Sequence, residues 1–79
     1  MDLNGARVLI TGGSKGIGKA TAQKMKQLGA QVAITARNEK TLEVTAQQLD
    51  ALAIHADVSQ PEDVRRSVQK TVDTFGGID

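Results

Sequence analysis

The sequence predicts an α/β fold in which three parallel strands alternate with three helices. Short apolar runs, typical of strands buried on both faces, alternate with longer segments whose apolar residues repeat at helical spacing. Glycines follow the first and third helical segments, where the chain leaves a helix and turns. Because parallel strands must be joined by crossovers, this alternation indicates right-handed βαβ units in a layered domain.

The first strand and the first helix are predicted on either side of a glycine-rich turn. Residues 7–11, Arg-Val-Leu-Ile-Thr, form a β-branched run that stops at Gly12. Beyond the glycines, helical spacing predicts an inward stripe formed by Ile17, Thr21, Met25 and Leu28. Gly29 then ends the helix, because glycine readily adopts the left-handed conformation at that position.

The second strand and helix follow the same plan. Residues 31–36, Gln-Val-Ala-Ile-Thr-Ala, predict the second strand. Asn38 is placed to cap the second helix, which is predicted to bury Leu42, Ala46 and Leu49.

The third strand is predicted over residues 51–56 and is followed by a third helix. Ser59 and Glu62 have the spacing of a capping box, and Pro61 is tolerated in the first helical turn. The inward stripe of this helix is predicted from Val64, Val68, Val72 and Phe75.

Length and composition exclude several kinds of protein. Seventy-nine residues form one small domain at most, and a net charge of +1 predicts no general attraction to nucleic acid. The single aromatic residue, Phe75, provides no stacking surface for single strands. The absence of cysteine excludes disulfides and thiolate metal sites, and no segment resembles a signal peptide or a membrane span. We therefore expect a cytoplasmic protein with no metal site and no nucleic-acid or membrane partner.

The most informative segment is the turn at residues 11–18, Thr-Gly-Gly-Ser-Lys-Gly-Ile-Gly. It lies between a predicted strand and a helix, where glycines permit a sharp turn and the helix N-terminus favours an anion such as a phosphate.

A tight turn that binds no ligand is one alternative interpretation of this segment. A nucleoside triphosphatase loop would need Ser or Thr after Lys19, and Ala20 stands there instead. The segment also matches Gly-x-Ser-x-Gly of hydrolases, but the partners of such a serine are missing in the expected order, and His55 is assigned a structural role.

The turn has the pattern Thr-Gly-x-x-x-Gly-x-Gly, and two further motifs follow it: Asp57-Val58 after the third strand and Gly-Gly-Ile-Asp at residues 76–79. Together these motifs resemble the N-terminal part of the short-chain dehydrogenases/reductases, and the resemblance covers the whole chain. It implies a Rossmann-type three-layer unit with its strands in the order 3-2-1. We expect residues 1–79 to be a partial dinucleotide-binding domain, truncated at the start of a fourth strand, with an incomplete doubly wound sheet.

The resemblance also implies a cofactor site. In that family the turn wraps the pyrophosphate, which assigns Gly12, Gly16 and Gly18 to the site and gives Ile17 a main-chain amide contact, while Thr11 steadies the turn. By the same resemblance, Asp57 bonds the adenine amino group beside the main chain of Val58.

The end of the second strand bears on the choice of cofactor. An NAD site places an acidic residue there to bind the ribose 2′-hydroxyl, whereas an NADP site needs cations around the 2′-phosphate. The predicted strand ends at Ala36 and is followed by Arg37, whose planar guanidinium can hold a phosphate through two hydrogen bonds. Lys15 adds a second cation from the turn, and Ser14 adds a hydroxyl. We therefore predict NADP(H) in preference to NAD(H).

The family's reaction is hydride transfer between a nicotinamide and a carbonyl or alcohol, so the resemblance implies the NADP(H)-binding portion of an oxidoreductase. The family's catalytic Ser, Tyr and Lys lie in later segments, and this chain contains no tyrosine, so no catalytic residue is assigned. A stand-alone nucleotide-binding module and a structural or interaction module without catalysis remain alternatives. Because residues 8–10 would form an exposed apolar edge, we expect self-association or a need for the missing C-terminal part.

Overall fold

Three strands pair side by side and in parallel in the computed structural model, which describes residues 3–12 and 16–79. In chain order the elements are β1 (Arg7–Thr11), α1 (Gly16–Gln27), β2 (Gln31–Ala36), α2 (Glu39–Leu49), β3 (Leu52–His55) and α3 (Pro61–Phe75). β2 lies in the centre of the sheet, and β1 and β3 flank it. The predicted strand order is therefore confirmed, and the bounds of β1 and β2 agree with the sequence pattern. β3 is one residue shorter at each end than predicted.

Alternate residues of the central strand face two different helical layers. Val32 and Ile34 are buried against α1 and α2, in a core that includes Ala22, Leu42 and Ala46. Ala33 lies on the opposite face with Ile54 and Ala56, where Phe75 of α3 packs against them. The sheet is thus covered on both faces, as the continuous apolar run of β2 predicts. Within the described ranges, no helix has the length and apolar character required to cross a membrane.

The cap predicted for α2 is confirmed. The side chain of Asn38 accepts a hydrogen bond from the Thr41 N–H at 3.0 Å, so that Oδ1 satisfies one of the unpaired amides of the first turn. Leu42 and Ala46 are buried, as the spacing predicts.

The capping box predicted for α3 is wrong. Gln60 occupies the N-cap position and makes no side-chain capping bond, while Pro61 begins the helix. Ser59 instead donates both its N–H and its hydroxyl to Asp57, and this local turn removes Ser59 from the helix terminus. Glu62 pairs with Arg65 on the exposed surface of the helix.

The inward face of α3 also differs from the prediction. Val64, Val68 and Val72 are 38%, 41% and 36% exposed, whereas Ser67 and Thr71 are buried. Each of these two hydroxyls donates to a backbone carbonyl one turn earlier in the helix, Ser67 at 2.7 Å and Thr71 at 2.8 Å. Since the helix itself satisfies both polar groups, they can pack against the sheet at little cost, and the three valines are left partly exposed.

The face of α1 that contacts the sheet also differs from the prediction. Ala22 is fully buried, whereas Ile17 is 87% exposed. The two residues are about 140° apart around the helix axis at 100° per residue. Ala22 therefore sets the face that contacts the sheet, and the prediction that Ile17 points inward is wrong.

The free edge of β1 is held by Asp79. The N–H of Asp79 donates to the Arg7 carbonyl at 2.8 Å, and the Arg7 N–H donates to the Asp79 carboxylate, also at 2.8 Å. The Arg7 guanidinium adds two bonds of 3.1 Å to the same carboxylate. This arrangement needs Gly77, because a Cβ at that position would lie 2.7 Å from the guanidinium. The chain therefore returns to β1 on the side opposite β2.

We predict that Asp79→Asn makes the stability of the chain less dependent on pH in acid. Hydrogen bonds from the Arg7 side chain and backbone hold the pKa of Asp79 below its ordinary value of 3.8. A carboxyl group whose pKa is lowered by folding stabilises the fold above its unfolded pKa, and this contribution is lost as the pH falls through the lower folded value. Urea unfolding at about pH 7 and about pH 3 should show a smaller difference for Asp79→Asn than for the parent.

Glu43→Gln is the matched control, because it removes an exposed carboxylate on α2 without touching β1. The control should retain the parent's pH dependence. Equal acid sensitivity in the parent and in Asp79→Asn would contradict the role assigned to this carboxylate.

Candidate functional site

A cleft of about 300 Å³ lies at the carboxyl ends of the strands. Because parallel strands all end at the same edge of a sheet, residues distant in the sequence meet there. The cleft is lined by Gly12, Thr35, Ala36, Arg37, Asn38, Ala56 and Val58. A volume near 300 Å³ is at the lower end of the range for small-molecule sites, which suits one part of a larger ligand.

Gly12, which follows β1, lines one side of this cleft. Gly12 has φ of +72°, a conformation that other residues rarely adopt. Its N–H donates to the Oγ1 of Thr35 at 3.3 Å, and Thr35 is fully buried in β2. The hydroxyl therefore ties the start of the turn to the central strand. Sequence reasoning missed this residue, although a threonine within a buried apolar run is a signal that its hydroxyl has a partner.

Two alanines lie between the walls of the cleft. Ala36 ends β2, and its carbonyl accepts a bond of 3.1 Å from the Ala56 N–H. Both residues are almost fully buried, Ala36 in the core beneath α1 and α2 and Ala56 in the core beneath α3. Small residues at the ends of two adjacent strands therefore line this part of the cleft.

A cation and a helix N-terminus lie on the far side of the cleft. Arg37 immediately follows β2 and is exposed, as the sequence predicts. The Arg37 carbonyl accepts a hydrogen bond of 2.7 Å from the His55 ring. Asn38, which caps α2, is the next residue of the wall and was not predicted as a site residue. A positively charged side chain and the positive end of a helix dipole thus meet at one edge of the cleft.

The predicted adenine-binding pair lies at the end of β3. Val58 lines the cleft, while Asp57 is half-buried beside it. The Oδ1 of Asp57 accepts bonds from the hydroxyl and the N–H of Ser59, at 2.7 and 2.9 Å. These bonds lower the pKa of Asp57, and the positive charge of Arg37 adds to the effect. The carboxylate is therefore held in its ionised form, as an acceptor whose orientation Ser59 fixes.

The remaining predicted residues belong to the turn and to the first turn of α1. Gly16, with φ of +55°, begins the helix, and Ile17 and Gly18 follow it. The exposed side chain of Ile17 lines a separate apolar groove on α1, and Gly16, Ile17 and Gly18 are not among the residues that line the cleft. Ser14 and Lys15, together with Gly13, lie outside the residues that the structure describes.

Comparison with known proteins agrees with this arrangement. Residues 6–79 match the family described as short chain dehydrogenase. The chain is 42% identical to 11-beta-hydroxysteroid dehydrogenase 1A of Arabidopsis thaliana, over 99% of this chain and 24% of that protein.

Two solved structures are also similar. A 3-ketoacyl-(acyl-carrier-protein) reductase from Brucella melitensis complexed with NADH has a TM-score of 0.94 and 35% identity, covering 99% of this chain and 33% of that one. A short chain dehydrogenase from Burkholderia cenocepacia in complex with NADP has a TM-score of 0.93 and 38% identity, covering 100% and 35%. The likeness confirms the Rossmann-type arrangement, and the chain spans about a quarter to a third of the length of these proteins.

Proposed function

Because the chain belongs to the short-chain dehydrogenase family, we propose that its cleft binds the adenosine half of a nicotinamide dinucleotide. The two similar structures were solved with NADH and with NADP, so a cofactor of this class is supported. The cleft fits such a group in three respects. Gly12 places no side chain in the cleft, Ala36 and Ala56 line it with small residues, and Arg37 offers a cation at the edge.

We propose that the cofactor is NADP(H) rather than NAD(H). The observation that carries this proposal is the position of Arg37, which follows the last residue of β2 and lines the cleft. In dinucleotide sites this is where an acidic residue binds a free 2′-hydroxyl, or a cation accommodates a 2′-phosphate. A guanidinium binds phosphate through two charge-assisted hydrogen bonds. Lys15 and Ser14 in the turn would add a cation and a hydroxyl to the same phosphate.

The pyrophosphate is assigned to the turn that joins β1 and α1. Gly12 and Gly16 both have positive φ, and Gly16 begins a helix whose unpaired amides attract an anion. The amide of Ile17 and the close backbone approach at Gly18 complete this part of the proposed site. Asp57 and the main chain of Val58 are assigned to the adenine ring.

We further propose that these residues form the cofactor-binding portion of a larger reductase or dehydrogenase. The nicotinamide would supply or accept a hydride, while a carbonyl or alcohol would be the other reactant. Residues 1–79 contain no tyrosine, and no catalytic residue is assigned to them. The role of this chain in the proposed reaction is to bind the cofactor and to select it.

We predict that Arg37→Asp weakens NADPH binding by about tenfold or more, which is the loss expected for one phosphate ion pair. NADH binding should change little, because NADH has no 2′-phosphate. Calorimetric titration of each cofactor measures both constants. Arg65→Asp makes the same charge change on the exposed surface of α3 and should leave both affinities unchanged. Equal losses for NADPH and NADH in Arg37→Asp would contradict the assignment of the 2′-phosphate to this residue.

The partly exposed valines of α3 support a second proposal, that two copies of the chain associate. Val64, Val68 and Val72 form an exposed apolar stripe on one side of the sheet. Ile78, next to the free edge of β1, is also 39% exposed. Apolar stripes and unpaired strand edges on a small domain are covered when copies associate.

We predict that the sedimentation coefficient of the parent chain rises with concentration. A variant carrying Val64→Ser, Val68→Ser and Val72→Ser should sediment as a monomer at concentrations where the parent does not, because the apolar stripe is removed. Val44→Ser, on the opposite helical layer, is the control and should behave as the parent. A parent chain that remains monomeric and unfolds sharply at a concentration-independent temperature would exclude association.

A further inference from the structure

His55 has no assigned role in the proposed site, but its side chain contacts Arg37, the residue on which the proposed preference for NADP(H) depends. Its Nε2 is 2.7 Å from the carbonyl oxygen of Arg37. A carbonyl can only accept a hydrogen bond, so Nε2 carries the hydrogen and donates it. The side chain of His55 thus holds the backbone of Arg37 from the outside of the cleft.

This hydrogen bond lies just beyond the last backbone hydrogen bond between β2 and β3. The last paired residues of the two strands are Ala36 and His55, and the Ala56 N–H makes a final backbone bond to the Ala36 carbonyl. The carbonyl of Arg37 lies one residue beyond that bond. The His55 ring therefore extends the ordered pairing of β2 and β3 by one residue, up to the residue proposed to bind the phosphate.

His55 is itself held by α3. Its carbonyl accepts a bond of 3.0 Å from Nη2 of Arg66, which also lies 3.5 Å from Asp63. The second carboxylate oxygen of Asp63 accepts from the Asp57 N–H at 2.9 Å. One chain of contacts thus fixes the backbone of Arg37 and of Asp57, two charged residues of the proposed site, and none of its side chains lines the cleft.

We propose that His55 is a positioning residue that sets the preference for a 2′-phosphorylated nucleotide through Arg37. This inference rests on the proposed function of the cleft and assigns a determinant of its selectivity. A guanidinium binds phosphate well when its backbone is already fixed, because less conformational freedom is lost on binding. Without the His55 bond, Arg37 keeps its charge but samples more positions. The loss should therefore fall on the 2′-phosphate and leave the rest of the nucleotide unaffected.

The test compares two variants and two nucleotides. His55→Leu removes the donor, while His55→Gln keeps an N–H donor on a side chain of comparable reach. Adenosine 2′,5′-bisphosphate and adenosine 5′-monophosphate differ by the 2′-phosphate alone. Calorimetry on the 79-residue chain should show that His55→Leu binds the bisphosphate about three- to tenfold more weakly, with the monophosphate unchanged. His55→Gln should recover most of the preference.

A measurement without nucleotide tests the positioning itself. The amide of Asn38 shares a peptide group with the Arg37 carbonyl, so its NMR signal responds to the His55 bond. His55→Leu should shift this signal and increase backbone motion at Arg37 and Asn38, while His55→Gln should resemble the parent. Circular dichroism confirms that each variant is folded.

The outcomes separate the two proposals. A parent chain that binds both nucleotides equally would overturn the 2′-phosphate site, and with it the role of His55. If the parent discriminates and His55→Leu discriminates equally well, the site stands and the positioning role is overturned. Equal weakening of both nucleotides in His55→Leu, or no recovery in His55→Gln, would also overturn it.

Discussion

The parallel register of β2 with both of its neighbours determines where every other part of the structure lies. Residues 32–36 are all buried, and Ile34 pairs with Ile10 of β1 on one side and with Ala53 of β3 on the other. A shift of this register by one residue would exchange the two faces of the strand, so that Val32 and Ile34 would meet α3 while Ala33 would meet α1 and α2, and neither core would be packed as it is. The same register aligns the carboxyl ends of the three strands, which is why Gly12, Arg37 and Ala56 meet at one cleft.

Two side-chain hydrogen bonds connect the strands to the loops that follow their neighbours. Thr35 accepts from the N–H of Gly12, and His55 donates to the carbonyl of Arg37. Each bond joins a residue of one strand to the first loop residue after the neighbouring strand. The loops of the proposed phosphate site are thereby held by the rigid part of the fold, which is the arrangement that favours tight binding of a charged group.

Much of this arrangement could be predicted from the sequence, because strands and turns have local signals. The strand that ends at Ala36 places Arg37 at the cofactor end of the sheet, and Asn38 caps α2 as its position indicates. The faces of α1 and α3 were predicted only in part, because Met25 and Phe75 pack against the two cores as predicted whereas Ile17 is exposed. Thr71 is buried because its hydroxyl bonds to its own helix, a bond that a hydropathy pattern does not record. The bonds of Thr35 and His55 span 23 and 18 residues, and no local pattern indicates contacts of that range.

In the proposed function, the carboxyl ends of these strands hold the adenosine end of a phosphorylated dinucleotide beside Arg37. Backbone amide shifts recorded during titration with adenosine 2′,5′-bisphosphate locate the nucleotide on the chain. We expect the largest shifts at Gly12, Arg37, Asn38 and Val58, which line the cleft. Shifts confined to the groove between α2 and β3, near Glu43 and Asp50, would contradict it, as would the absence of any shift in the folded chain.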